Sequence, residues 1–410
     1  MSAYDLERIT GLVSGAPHRH SAMTKYGWRQ YVQGLNIQPP RFSRDRYEAM
    51  TDDERERYDG MRFAYTHGLT NLKTPQLLNA HRALSTCYAE LAGASSTARC
   101  GVVISGEAFV GKSTAMMSWG RRVELALRKQ RSLPLPDDPA AAPPRVPSHD
   151  GDSTGEYLPV AYAAVGISVG ATVRNLIRFY NPELPNKSRG DIDATIALVC
   201  RYIKDCQTAV VLVDQLHEIS HAVRGPAETS EVLKALTDRS PSTMFAAAAI
   251  GIDELKIFTD GYTELERNLG QTGGRFSLHQ MNTYNIHDED GMSNWQEFLL
   301  TVDRDLMLMR SAPGDLLKHA DYIFDRTAGV TGAVMQLVRT AAGISILNHD
   351  ERITQRLMGE VDLSYFAEVQ AGRTNRTRPE RSSSRAPARA RSRKPRGASL
   401  LATKPANPRS

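Results

Sequence analysis

Hydrophobic positions in the middle of this chain fall into short, largely unbroken runs at 99–105, 159–165, 208–214 and 242–250. Runs that do not alternate with polar residues read as strands buried on both faces, the mark of a parallel sheet. A fifth strand is expected at 276–286. Between the runs, apolar residues recur every three or four positions, which predicts helices at 115–129, 171–180 and 192–206. Strand and helix in alternation argue for an α/β fold, a parallel sheet with helices on both faces.

The flanks read differently. Residues 1–50 scatter Gly, Pro, Arg and aromatics such as Trp28 and Tyr31, and Pro39-Pro40 interrupts any regular element. A loosely structured arm is expected there, either docking a partner or simply solvated. Thr51-Asp52-Asp53-Glu54 has capping-box spacing and opens a charged helix to about Tyr65. Thr74-Pro75 joins an N-cap to a proline at the first helical position, and Leu77, Leu84, Tyr88 and Leu91 share one face, which predicts a helix over 76–92. Residues 131–158 are crowded with Pro, Ala and Asp, the composition of a flexible surface insertion. From about 292 only helical spacing remains, at 292–310, 314–326, 331–347 and 351–369, a small all-α lid. The chain thus divides into an arm (1–70), an α/β domain (71–290), a helical lid (291–370) and a tail (371–410).

Composition adds limits. With 410 residues, 41% hydrophobic and 24% charged, the chain can bury a sizeable core. No apolar run approaches the roughly eighteen residues of a membrane helix, and no charged-then-apolar leader opens the chain, so a cytoplasmic protein is expected. Cys87, Cys100, Cys200 and Cys206 have no CxxC spacing and read as reduced, mostly buried thiols. The net charge of +5 hides an asymmetry: residues 371–410 hold ten Arg and two Lys against one Glu, a balance of +11, which leaves −6 for the rest. Arg, Ser, Pro and Ala without periodicity make this tail a disordered basic segment, suited to salt-dependent contact with nucleic acid phosphates.

The chemistry concentrates after the first apolar run. Gly106-Glu107-Ala108-Phe109-Val110-Gly111-Lys112-Ser113, followed by Thr114, matches G-x-x-x-x-G-K-[ST] between a predicted strand and a predicted helix. Loop N–H groups and the positive end of the helix would cradle the phosphates of ATP. Lys112 would reach the β- and γ-phosphates, and the Ser113 hydroxyl would hold Mg²⁺. Many such loops carry a third glycine where Phe109 stands, so an ordinary backbone conformation without positive φ is expected at Phe109. Asp214 ends a fully apolar strand, as a carboxylate that holds Mg²⁺ through water should. The next residue is Gln215, where ATPases of the AAA+ kind usually place a glutamate; an amide can orient water but cannot take its proton. Arg267 and Arg275 are candidates for an arginine that reaches a neighbouring subunit's nucleotide, with Arg275 favoured. The fourth strand runs into Ile252 without the Asn, Thr or Ser often found near the γ-phosphate, a second sign of slow turnover.

Taken together these pieces resemble the TniB family of transposition proteins, related to the TnsC-type AAA+ ATPases. The resemblance covers residues 70–350 and is carried by Thr74-Pro75, the loop at 106–113, Val213-Asp214-Gln215-Leu216-His217, Ala249-Ile250-Gly251, Gly274-Arg275-Phe276 and Ala328-Gly329-Val330-Thr331-Gly332-Ala333. It implies an ATP-dependent regulator that assembles on target DNA as a homo-oligomer, ring or filament, and recruits or activates a transposase. Basic residues that could meet DNA cluster at Arg121, Arg122, Arg128 and Lys129, and at Arg174, Arg178, Lys187 and Arg189. No helix-turn-helix or zinc-finger pattern stands out, so sequence-specific readout is not expected. No nucleophile elbow, metal-ligating His pair or GxGxxG after a strand is present, so chemistry on DNA itself is not expected either. The alternative is a P-loop NTPase switch in signalling or phage defence that binds protein partners and not DNA.

Overall fold

The computed structural model describes residues 20–377 apart from 35, 71, 94–100, 139–140, 142, 149, 167, 185–190, 222–224 and 252–275, and for 219–230 and 373–377 the main chain alone. Among the described residues, three helices precede the sheet domain: α1 (Lys25–Gln33), α2 (Arg44–Glu48) and α3 (Asp52–His67). The capping box at Thr51 and Glu54 forms, each residue satisfying an open donor of the other. Helix α4 (Pro75–Gly93) begins at the proline, with the Thr74 hydroxyl accepting from the Leu77 N–H.

The sheet follows: β1 (Gly101–Ser105), α5 (Lys112–Arg131), a small hairpin of β2 (Arg145–Pro147) and β3 (Thr154–Glu156), then β4 (Val160–Ala164), α6 (Val169–Tyr180), α7 (Ile192–Asp205) and β5 (Val210–Asp214). A 3₁₀ turn at Leu216–His221 leads to α8 (Gly225–Arg239), a helix the spacing analysis did not single out, and then to β6 (Met244–Ala249) and β7 (Phe276–Gln280). The five main strands lie in the order β4-β5-β6-β1-β7, and every pairing is parallel. Every position of β1, β4, β5 and β6 is buried, so both faces of the sheet are covered. Strand β7 is shorter than the expected 276–286 and half open to solvent, as an edge strand is.

The C-terminal helical region comprises α9 (Glu289–Asp305), a 3₁₀ turn at Leu316–His319, α10 (Ala320–Thr327), α11 (Thr331–Leu347), α12 (Gln355–Gly359) and α13 (Tyr365–Thr377). The single helix expected at 351–369 is two: α12 ends at Gly359, and α13 starts afresh at Tyr365, where the Ser364 N–H is taken by Gln336 and the Ser364 hydroxyl accepts from the Ala367 N–H.

Two expectations are corrected. The arm expected to be loose over residues 1–50 is, from residue 20 on, partly helical and packed on both halves of the molecule. Trp28 and Val32 of α1 are fully buried in the sheet core, whereas Tyr65 and Leu69 belong to the lid core. Gly343 of α11 allows the second contact: a Cβ there would sit 2.4 Å from the His67 ring. Nor is 131–158 free throughout. Tyr157 and Leu158 are buried, and a Cβ on Gly155 would lie 2.2 Å from the Asp205 carbonyl oxygen, so the hairpin is seated against the end of α7. Its Pro-rich composition gave no sign of those few anchors. The basic tail beyond 377 lies outside the described residues.

Candidate functional site

The phosphate-binding loop begins where β1 delivers the buried Ser105. Gly106 passes so close to Met281 that a Cβ would lie 2.0 Å from its carbonyl oxygen, and its φ is +155°. Gly111 has φ +100° and sits directly before α5, whose first turn has no side-chain cap, so its N–H groups open toward the loop. Phe109 departs from expectation. Its φ is +63°, the left-handed conformation that glycine would adopt freely. The cost of holding a non-glycine residue there is about 1–2 kcal/mol. Contacts from the lid hold it in place: the Gly332 N–H donates to the Phe109 carbonyl at 2.8 Å, and the Phe366 ring lies 5.4 Å away, centre to centre.

Lys112 is buried, and its ammonium donates to the carbonyls of Gly106 at 2.9 Å and Glu107 at 2.5 Å. Burial pulls its pKa down to about 8, against the upward pull of Asp214 and Glu107. Asp214 closes β5 and is 5% exposed; its Oδ1 accepts the Gln215 main-chain N–H at 2.8 Å and its Oδ2 the Tyr162 hydroxyl at 2.7 Å. Gln215 is exposed, at φ +62°. Residues 108–114, Asp214 and Gln215 line one cleft of about 450 Å³, with an apolar wall from Leu69, Leu72, Leu77, Met281, Phe298 and Met335. That volume is in the range of small-molecule sites. The donor set suits a magnesium nucleoside triphosphate: a loop with two glycines at positive φ for phosphate, an ammonium beside it, a hydroxyl and a carboxylate for the cation, and an apolar wall for a base.

No family model matches this sequence, and no curated protein matches it significantly. Among solved structures the fold does find relatives. ORC2 of Aeropyrum pernix is 14% identical, with a TM-score of 0.43 over 74% of this chain and 73% of that one. ORC1 of Aeropyrum pernix, solved in complex with DNA, is 11% identical, with a TM-score of 0.46 over 77% and 71%. DnaA of Aquifex aeolicus, bound to AMPPCP, is 15% identical, with a TM-score of 0.35 over 66% and 64%. This is a distant structural similarity to AAA+ ATPases. At these identities it concerns fold alone.

One charged cleft residue escaped the sequence analysis. Arg339 of α11 reaches the cleft and donates to the carbonyls of His67 and Leu69. Burial lowers its pKa. It is the single charge in the seventeen residues of that helix, a signal that could have been read. His217 also lines the cleft, whereas Glu218, the other nearby carboxylate, does not.

The expected DNA contacts divide. Arg121 donates to the Val32 carbonyl at 2.8 Å, Arg122 pairs with the His81 ring at 3.1 Å, and Arg128 is buried against Glu124. Arg121 and Arg128 serve the packing of α5, whereas Arg122 and Lys129 stand exposed. Arg174 and Arg178 are half-buried on α6. Lys187 and Arg189, and the arginine-finger candidates Arg267 and Arg275, lie outside the described residues. Among those described, no helix is long and apolar enough to cross a membrane.

Proposed function

We propose that this chain is an ATP-binding regulator of DNA transposition, which assembles on target DNA in its ATP form and recruits or activates a transposase. The observation that carries the nucleotide half is a single cleft holding Lys112, Ser113, Asp214 and the lid's Arg339 against an apolar wall. Support for the DNA half comes from the family resemblance and from the +11 balance of residues 371–410. Lys112 and the open first turn of α5 bind the phosphates, Ser113 and Asp214 hold Mg²⁺, and Gln215 orients water without deprotonating it, so hydrolysis is slow. Copies join through the nucleotide, with Arg275 or Arg267 of one reaching the next.

One specific observation favours a second reading. Arg121 and Arg128 of α5 are committed to internal contacts, which suits a nucleotide switch that binds protein and not DNA. Fluorescence anisotropy of the full chain on labelled duplex DNA separates the two. A non-hydrolysable ATP analogue should tighten binding by about tenfold, within the usual range of coupling between sites, and Lys112→Ala should abolish that gain. DNA binding that ignores nucleotide and follows salt alone would leave only the tail's charge at work and favour the protein-binding switch.

A further inference from the structure

Asp214 does not stand alone at the end of β5. Strand β4 pairs with β5 in a register that sets Tyr162 opposite Leu212 and Ala164 opposite Asp214. From that position the Tyr162 hydroxyl donates to Asp214 Oδ2 at 2.7 Å. The other carboxylate oxygen takes a main-chain N–H, so both ends of the group are fixed. The Tyr162 ring is 5% exposed and stacks on Trp28 of α1, centres 5.9 Å apart and planes at 22°. Trp28 is in turn fixed by its indole N–H, which donates to the buried Glu124. A carboxylate that must present its remaining lone pairs to a hydrated cation benefits from a donor that fixes its rotation, as the outer partners of metal ligands do.

We propose that Tyr162 is a positioning residue for the magnesium carboxylate, orienting Asp214 from a ring held in place by the N-terminal helix. This rests on the reading of the cleft as a magnesium nucleotide site. The assignment is specific to this chain's residues: the hydroxyl touches neither nucleotide nor metal and acts through Asp214.

Tyr162→Phe in the full chain removes one oxygen and keeps the ring, its burial and its stack on Trp28. Binding of a fluorescent ATP analogue is measured in EDTA and then across a Mg²⁺ titration. In EDTA the affinity should stay within about twofold of the unchanged chain, while the half-saturating Mg²⁺ concentration should rise about tenfold. In an Asp214→Asn background the same substitution should leave the Mg²⁺ midpoint unmoved, because the carboxylate it orients is gone. An unchanged midpoint in the single variant overturns the proposal, as does a shift of equal size with and without Asp214. If the unchanged chain binds nucleotide only when Lys112 is intact but a positioning effect is missing, the inference alone has failed. If Lys112→Ala binds as well as the unchanged chain, the reading of the cleft has failed with it.

Discussion

On the sheet side of the cleft, the functional groups stand at the ends of β1 and β5, strands buried at every position and joined to their neighbours by main-chain hydrogen bonds. On the helical side, the apolar packing of Tyr65, Leu69 and Leu72 is joined by a few buried or half-buried charged side chains. Arg62 of α3, fully buried, donates to the Met307 carbonyl, to Asp59 and to both oxygens of Glu351. Arg339 ties α11 to the chain after α3, and the Gly332 N–H ties it to the phosphate loop. The difference is one of redundancy. A ladder of many small contacts tolerates the loss of any one, whereas a buried cation with two carboxylates does not, since each survivor is left charged and desolvated.

Arg62→Ala should therefore be the most disruptive single change. It leaves Asp59 and Glu351 buried without their cation, a loss of about 3–5 kcal/mol. Calorimetry should show the helical region melting ahead of the sheet. On the other side, Ile104→Val, deep in β1, should cost only about 1 kcal/mol and melt in one transition. Equal losses for the two variants would erase the contrast.

How much of this was legible in the chain follows the same division. The strands, the loop at 106–113 and Asp214 were readable because they are local: an unbroken apolar run, a motif within eight residues, a carboxylate at a strand end. The start of α11 after Gly329 was readable for the same reason. What escaped depends on partners far along the chain. Phe109 carries no local sign of its positive φ, because the contacts that hold it come from Gly332 and Phe366. Trp28 sits among residues that look irregular, and partners far along the chain, Gly120, Glu124 and Tyr162, turn it into a core residue. The Arg62 cluster joins positions 289 residues apart, beyond any spacing rule.

The sheet side has one position that the ladder does not hold. Gln215 follows β5 directly, is exposed, lines the cleft and has φ +62°, so its side chain is free to be exchanged without disturbing packing. Gln215→Glu supplies a base where the amide can only orient water, and turnover of ATP should rise by about tenfold or more. Stability should hardly change, in contrast to Arg62→Ala. Equal turnover in the two chains would mean that another residue activates water, and His217 on the same cleft wall is the next to test.

The smallest effect sharpens the comparison most finely, because it separates charge from packing within a single residue. Lys112 has a pKa lowered to about 8, and the principal cause is burial on the sheet side. A bound triphosphate restores the preference for the ammonium, so nucleotide binding takes up a proton once the pH passes 8. The sign is fixed by that order: well below pH 8 the free chain already carries the charge and affinity is flat, and as the pH nears and passes 8 affinity falls. The expected loss is about twofold between pH 7 and 8 and about tenfold between pH 7 and 9. Calorimetric titration in two buffers of different ionisation enthalpy would read the proton directly. Lys112→Arg, whose guanidinium keeps its charge across this range, should remove the pH dependence whatever it does to affinity. A flat profile for the unchanged chain would mean that Lys112 is already held as an ammonium by Asp214 and the loop carbonyls, and that burial does not govern the sheet side of the cleft.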